Sequence, residues 1–307
     1  MDSMNKVLIT GNAGFIFSHV TDYFLDLGWS VVGVDNLSAG SHPELIPEWE
    51  NNPNFKFYEE HVGNKEFLDI VEKEQPDYII HAGAMSDVDF SIKFPRETLD
   101  ANIAGNINVF EAARKLPNLK KLLYVSTDEV YGECEYLKKE EDIIFPKNPY
   151  ACSKAVGSLM RLTYDNSYPE LKGKTCETRF CNVFGERQDS RKILPAIKES
   201  LMNGTSIPLH NGGEGYREYI YVLNIPPIVH KILEDGWRTY NITLNEGFTV
   251  RELIKKAEEV TGQTVTTHDS HREGMDSKYQ MDSTRVRELG WKPLYSFEEG
   301  LINYLKS

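Results

Sequence analysis

The chain has 307 residues, with 34 Lys and Arg against 47 Asp and Glu, a formal net charge of −13 at pH 7. A chain of this length buries a full hydrophobic core without disulfide or metal staples. Its 40% hydrophobic and 26% charged residues exclude disordered, fibrous and membrane-spanning classes. The acidic balance repels phosphate and speaks against a nucleic-acid surface, while leaving room for a local basic pocket.

The four cysteines, Cys134, Cys152, Cys176 and Cys181, form no C-x-x-C pair, which reads as free thiols in a reducing compartment. No basic segment followed by a long apolar run opens the chain, and no stretch of about 18 apolar residues occurs. A cytoplasmic location is expected.

In chain order, Lys6–Thr10 reads as a buried strand, Gly11–Gly14 as a turn and Phe15–Leu27 as a helix closed by Gly28. Ser30–Asp35, Phe55–Tyr58 and Asp77–His81 read as further strands. A helix over about Arg96–Lys115 leads to a strand at Lys121–Ser126, and another helix follows Pro149. This alternation predicts an α/β fold, a Rossmann-like doubly wound parallel sheet. Beyond Phe180, glycine- and asparagine-rich loops predict a smaller C-terminal lobe. Ligands of such sheets bind at the carboxyl ends of the strands.

Gly11-Asn12-Ala13-Gly14 lies between strand and helix, where glycines let a pyrophosphate approach the backbone and rest on the helix N-terminus. Asp35 ends the next strand. A carboxylate there can accept both ribose hydroxyls and repels a 2′-phosphate, so NAD is expected over NADP. Phe17 stands where a third small residue would let helix and strand pack closely, so it must rotate away or push the helix outward. Tyr150-Ala151-Cys152-Ser153-Lys154 places a phenol and an ammonium on one helical face. The ammonium is expected to lower the phenol's pKa and make Tyr150 a base near neutrality.

With Thr10–Ile16, the Tyr150/Lys154 pair, Arg217–Val222 and Glu288–Pro293 in view, the chain resembles the extended short-chain dehydrogenase/reductase family, in its nucleotide-sugar branch. Val125-Ser126-Thr127-Asp128-Glu129-Val130-Tyr131-Gly132 resembles the Thr-Asp-Glu signature of dTDP- and UDP-glucose 4,6-dehydratases. Epimerisation moves one hydride out and back at C4. Dehydration also needs a base for the C5 proton and an acid for the departing 6-hydroxyl, roles that adjacent carboxyls fill if one stays protonated.

The resemblance implies that Tyr150, assisted by Lys154, takes the 4-hydroxyl proton. Ser126 and Thr127 bond the sugar, Glu129 takes the C5 proton and Asp128 protonates the leaving hydroxyl. It implies NAD contacts from Gly11, Ala13, Gly14, Phe15, Ile16, Asp35, Asn36, His61, Val62, Ala82, Gly83, Ala84, Asn102, Tyr150 and Lys154. It implies contacts to a dTDP- or UDP-hexose from Ser86, Asp87, Ser126, Thr127, Asn182, Lys192, Arg217 and Arg272.

Five positions depart from the pattern. Met85, Asp87 and Phe90 stand where dTDP-glucose dehydratases carry Glu, His and Arg; His61 replaces an adenine-contacting Asp; Asn224 replaces a common Asp. The resemblance divides the chain into an NAD-binding domain, 1–178, to which 216–236 returns, and a nucleotide-sugar lobe, 179–307. It also implies a homodimer through the helices around Ile103, Ile107 and Phe110 and around Val156, Leu159 and Met160. His268-Asp269-Ser270-His271 lacks a second contributing segment, so no metal is expected. A 4-epimerase and a catalytically weak nucleotide-binding protein of the same fold stand as alternatives.

Overall fold

The computed structural model describes residues 4–271 and 278–307. The first half contains β1 (Lys6–Thr10), α1 (Phe15–Asp26), β2 (Ser30–Asp35), α2 (Ile46–Glu50), β3 (Phe55–Glu59), α3 (Glu66–Glu74), β4 (Tyr78–His81), α4 (Val88–Lys93), α5 (Pro95–Ala113), β5 (Lys121–Thr127) and α6 (Pro149–Ser167). The second contains β6 (Thr175–Phe180), β7 (Asn182–Phe184), α7 (Ile193–Asn203), β8 (Ile207–His210), β9 (Tyr216–Tyr221), α8 (Ile225–Asp235), β10 (Thr239–Ile242), β11 (Gly247–Thr249), α9 (Val250–Thr261), β12 (Thr267–Ser270), α10 (Thr284–Glu288) and α11 (Phe297–Lys306).

Seven parallel strands form the main sheet in the order β10-β6-β5-β4-β1-β2-β3. Val7, Leu8, Ile9, Val31, Val32 and Val34 are buried because helices cover both faces of a parallel sheet. The strand order reverses at β1, which pairs with β2 on one side and β4 on the other. The carboxyl ends of β1, β4 and β5 therefore open on one crevice, the position in which this architecture binds ligands.

The second lobe holds a three-stranded sheet, β11-β9-β7, and a two-stranded one, β12-β8. The returning segment differs from the expected 216–236. Tyr216–Tyr221 builds the small sheet, because β7 and β11 occupy its two edges. It is α8, packed on α1 and β5, and β10, paired with β6, that rejoin the main sheet. Phe17 is 5% exposed and belongs to the same core cluster as Val7, Ile9 and Val20, so its ring turns inward between helix and sheet. Among the described residues, no helix is long and apolar enough to cross a membrane.

Candidate active site

Gly11 adopts φ +70°, and a Cβ on it would lie 2.7 Å from the Gly83 Cα, so the β1 and β4 ends approach more closely than any side chain allows. The Thr10 hydroxyl accepts the Ala82 and Gly83 N–H groups at 3.1 and 3.0 Å and bonds His81 Nδ1 at 2.8 Å. Burial pushes the His81 imidazole down to about 3, so it is neutral and serves as a strut. Gly14 precedes α1 with no side-chain cap. The positive end of that helix, carrying Phe15 and Ile16, thus faces the crevice as an anion cradle.

Asp35 departs from the expected geometry. Its Oδ2 accepts the Ala13 N–H at 3.1 Å, and its Oδ1 accepts the Leu37 N–H at 2.8 Å and the Ser41 hydroxyl at 3.0 Å. A carboxylate offers about four acceptor positions, so it reaches both ribose hydroxyls only if Ser41 or Leu37 gives way. Asn36 is exposed beside it. His61 accepts the Gly63 N–H on Nδ1 at 3.0 Å, and the Val62 carbonyl accepts the Asn108 amide at 2.8 Å.

Asn102 is tied to groups within the chain. Its Oδ1 accepts the Met85 N–H at 2.8 Å, and its amide donates to the Met85 carbonyl at 3.1 Å and to the Ser153 hydroxyl at 2.8 Å. Both amide hydrogens are committed, so Asn102 ties the 82–87 loop (Ala82, Gly83 and Ala84 included) to α6 and keeps only an acceptor position on Oδ1 for a ligand.

Ser126, Thr127 and Asp128 are buried where β5 runs into a 3-10 turn, Asp128–Tyr131. The Thr127 hydroxyl donates to Asp128 Oδ1 at 3.1 Å, while Asp128 Oδ2 is buried with no hydrogen-bond partner among the described residues. Burial first, then the Glu129 charge, pushes the Asp128 carboxyl up to about 7; Arg217 opposes them. Asp128 thus holds a proton near neutrality. Glu129 Oε2 accepts the Asn148 amide at 2.8 Å, and Asn148 Oδ1 caps α6 through the Ala151 N–H at 2.8 Å. Pro149 follows at the first helical position, where its missing N–H costs nothing. This cap places Tyr150 in the first turn, facing the two carboxyls.

The expected lowering of the Tyr150 phenol does not come from the chain's own charges. Burial, then Glu129 and Asp128, push it well up, against a hydrogen bond with Thr127. Lys154 donates from Nζ to the Val125 carbonyl at 2.9 Å, and its own burial pulls it down to about 8.

On the second lobe, Asn182 is exposed on β7. The Arg217 guanidinium lies 4.5 Å from the Tyr279 ring centre and close enough to Asp128 to act on it. Ser86 is exposed; Asp87 caps α4 through the Phe90 N–H at 3.0 Å and pairs with Arg191 at 3.1 Å. The Phe90 N–H first, with Lys192 and Arg191, holds the Asp87 carboxyl below its usual range. Arg272 lies outside the described residues.

Three neighbours were not anticipated. Asn148 was legible as Asn-Pro before a helix. Arg191 carried no signal beyond its neighbour Lys192. Glu218, 1% exposed, accepts the Met281 N–H at 2.9 Å, and burial pushes it up to about 8; a charged residue in a short strand gives no warning of that.

A family model described as GDP-mannose 4,6 dehydratase matches residues 8–303. The low-salt glycan biosynthesis protein Agl12 of Haloferax volcanii is 33% identical over 301 residues, covering 96% of each chain. Among solved structures, the dTDP-glucose 4,6-dehydratase of Bacillus anthracis in complex with NAD is 27% identical at TM-score 0.89, covering 99% of this chain and 96% of that one. The UDP-glucose 4-epimerase of Thermotoga maritima with UDP-glucose is 30% identical at TM-score 0.88, covering 98% and 97%. The fold, the glycine turn and the Tyr150/Lys154 helix agree with these matches: the chain belongs to the GDP-mannose 4,6 dehydratase family, within the nucleotide-sugar branch of the extended short-chain dehydrogenases/reductases.

Proposed function

We propose that the chain is an NAD-dependent nucleotide-sugar 4,6-dehydratase that converts a dTDP- or UDP-hexose to its 4-keto-6-deoxy derivative. The observation that carries this reading is the pairing of a buried Asp128, protonated up to about 7, with the adjacent Glu129 at the carboxyl edge of β5. An elimination needs two neighbouring carboxyls of which one keeps its proton.

The cradle fits a dinucleotide. The Gly11–Gly83 approach leaves room for a pyrophosphate beside the uncapped start of α1, and Asp35 ends β2 in position for an adenosine ribose. When bound, NAD supplies the hydride acceptor for C4, the hydride donor for C6 and a positive charge that helps Tyr150 ionise. Tyr150 takes the 4-hydroxyl proton. Ser126 and Thr127 hold the sugar by hydrogen bonds. Glu129 removes the C5 proton once C4 is a ketone, and Asp128 donates its proton to the departing 6-hydroxyl. Arg217, Lys192 and Asn182 hold the diphosphate, for which a guanidinium is well suited.

A 4-epimerase is the second reading, favoured by the likeness to the Thermotoga maritima enzyme; it leaves Asp128 and Glu129 without a task. The deciding experiment is incubation with a panel of nucleotide-hexoses in heavy water, followed by mass spectrometry. The dehydratase gives a product one water lighter with deuterium at C5. A product of unchanged mass and no label establishes the epimerase, and no product from any substrate supports a weak nucleotide-binding protein.

A further inference from the structure

Glu177 on β6 is fully buried and lies behind the catalytic helix. Its Oε1 accepts the Arg179 Nε–H at 2.8 Å and the Ser158 hydroxyl at 2.7 Å. Its Oε2 pairs with Arg161 at 3.5 Å and accepts the Thr239 hydroxyl at 3.3 Å. Two guanidiniums already satisfy the carboxylate's charge, so the Ser158 bond is not required for neutralisation. Arg161 already ties the triad to α6, and the Ser158 bond adds a tie one turn from Lys154. The Ser158 hydroxyl lies 3.2 Å from the Lys154 carbonyl and 3.5 Å from the Ser126 hydroxyl. A hydrogen-bond path therefore runs from Ser126, at the sugar end of β5, through Ser158 to Glu177, and it touches the turn of α6 that carries Lys154.

We propose that Glu177 is a positioning residue for the Tyr150/Lys154 pair, holding the Lys154 turn and the Ser126 hydroxyl through Ser158, so that the surroundings of the Lys154 ammonium depend on it. This rests on the reading of Tyr150 and Lys154 as the reacting pair.

The surroundings of Lys154 support it. From β5, the Tyr124 ring lies 5.4 Å from Nζ; from β4, His81 is neutral. The 3-10 turn presents Asp128, Glu129 and Tyr131, whose charges bear on Tyr150 and Arg179. From α6 come Tyr150 and Arg161, from β6 Arg179. The α5 residues turned this way are the uncharged Asn102 and Asn106, and the charged Asp89 and Lys93 of α4 are exposed. Burial lowers the proton affinity of Lys154, and the Glu177 carboxylate opposes that lowering.

The test is the titration midpoint of Lys154, read by NMR on carbon-labelled lysine in the purified protein and assigned with Lys154→Arg. Glu177→Gln is expected to lower that midpoint by about one pH unit, a tenfold loss of proton affinity, and to reduce kcat. Glu177→Asp, which keeps the charge, restores most of both. Ser158→Ala keeps all three charges of the triad and is the second variant should Glu177→Gln fail to fold; it is expected to lower the midpoint by less and to reduce kcat several-fold at unchanged KM. A midpoint unchanged in folded Glu177→Gln, or a midpoint and kcat both unchanged in Ser158→Ala, overturns the proposal. The midpoint is read without substrate. A native protein that turns over no nucleotide-sugar therefore defeats the dehydratase reading and leaves the Glu177 result standing or falling by itself.

Discussion

Asn148 donates its amide to Glu129 Oε2 at 2.8 Å and accepts the Ala151 N–H at 2.8 Å, tying the proposed C5 base to the first turn of the Tyr150 helix. Asn148→Ala removes both bonds. Loss of the cap costs about 1 kcal/mol, read as a lower midpoint in urea. Product formation slows beyond what that loss explains, because Glu129 is freed to move. Asn148→Ser restores the cap alone, so its stability returns while its activity stays low. Full activity in a destabilised Asn148→Ala would show that the amide does not orient Glu129.

Asp128 titrates near 7 in the fold against an ordinary 3.8. The folded protein keeps this proton where the unfolded chain has lost it. The group's contribution to stability is therefore full below the unfolded value and lost as pH rises through the folded one. Asp128→Asn removes that loss. Above neutrality the variant is more stable than the native protein by on the order of 1–3 kcal/mol, with the difference fading in acid, while product formation falls by about 10²–10⁴. Native activity declines above about 7 as the acid deprotonates. Identical urea midpoints in mildly alkaline buffer would contradict a buried, protonated Asp128.

The three donors on Asp35 make a separate prediction. Ser41→Ala frees an acceptor position on Oδ1 and is expected to tighten NAD binding in a calorimetric titration. Asp35→Ala loses the 2′-phosphate repulsion and narrows the preference over NADP. A native protein that binds both cofactors equally would show that Asp35 does not select.

Phe17 is a core residue. Phe17→Ala is expected to cost about 3–5 kcal/mol in unfolding free energy, while the protein that remains folded retains its cofactor. Loss of the cofactor from folded Phe17→Ala would place the ring in the cradle.

The proposed homodimer uses α5 and α6, on which Ile107 and Leu159 are 44% and 55% exposed. Phe110 is buried within the subunit and takes no part in this face. Light scattering at micromolar concentration is expected to give twice the chain mass, and Ile107→Lys with Leu159→Lys to return it to the monomer. A native monomer contradicts the proposal.

Features that rest on residues close in the chain were legible in the sequence. The β-branched runs Val7–Ile9 and Val31–Val34 mark buried strands. Gly11 and Gly14 mark the cradle, because a strand-to-helix reversal over a pyrophosphate demands them locally. Tyr150 and Lys154 share a face by helical period. What depended on residues far apart was not legible: the commitment of Asn102 to Met85 and Ser153, the filling of Asp35 by Ser41, the return of 225–242 to the main sheet, and the Glu177 triad with Arg161 and Arg179. Asp128 and Glu129 show the division most closely. They are neighbours of nearly identical chemistry, and their order in the chain says only that two carboxyls stand at a strand end. Burial withdraws water from Asp128, while Asn148 holds Glu129 by a hydrogen bond. Water and hydrogen-bond partners are set by the packed surroundings, so only the tertiary structure decided that Asp128 keeps its proton and that Asn148 holds Glu129.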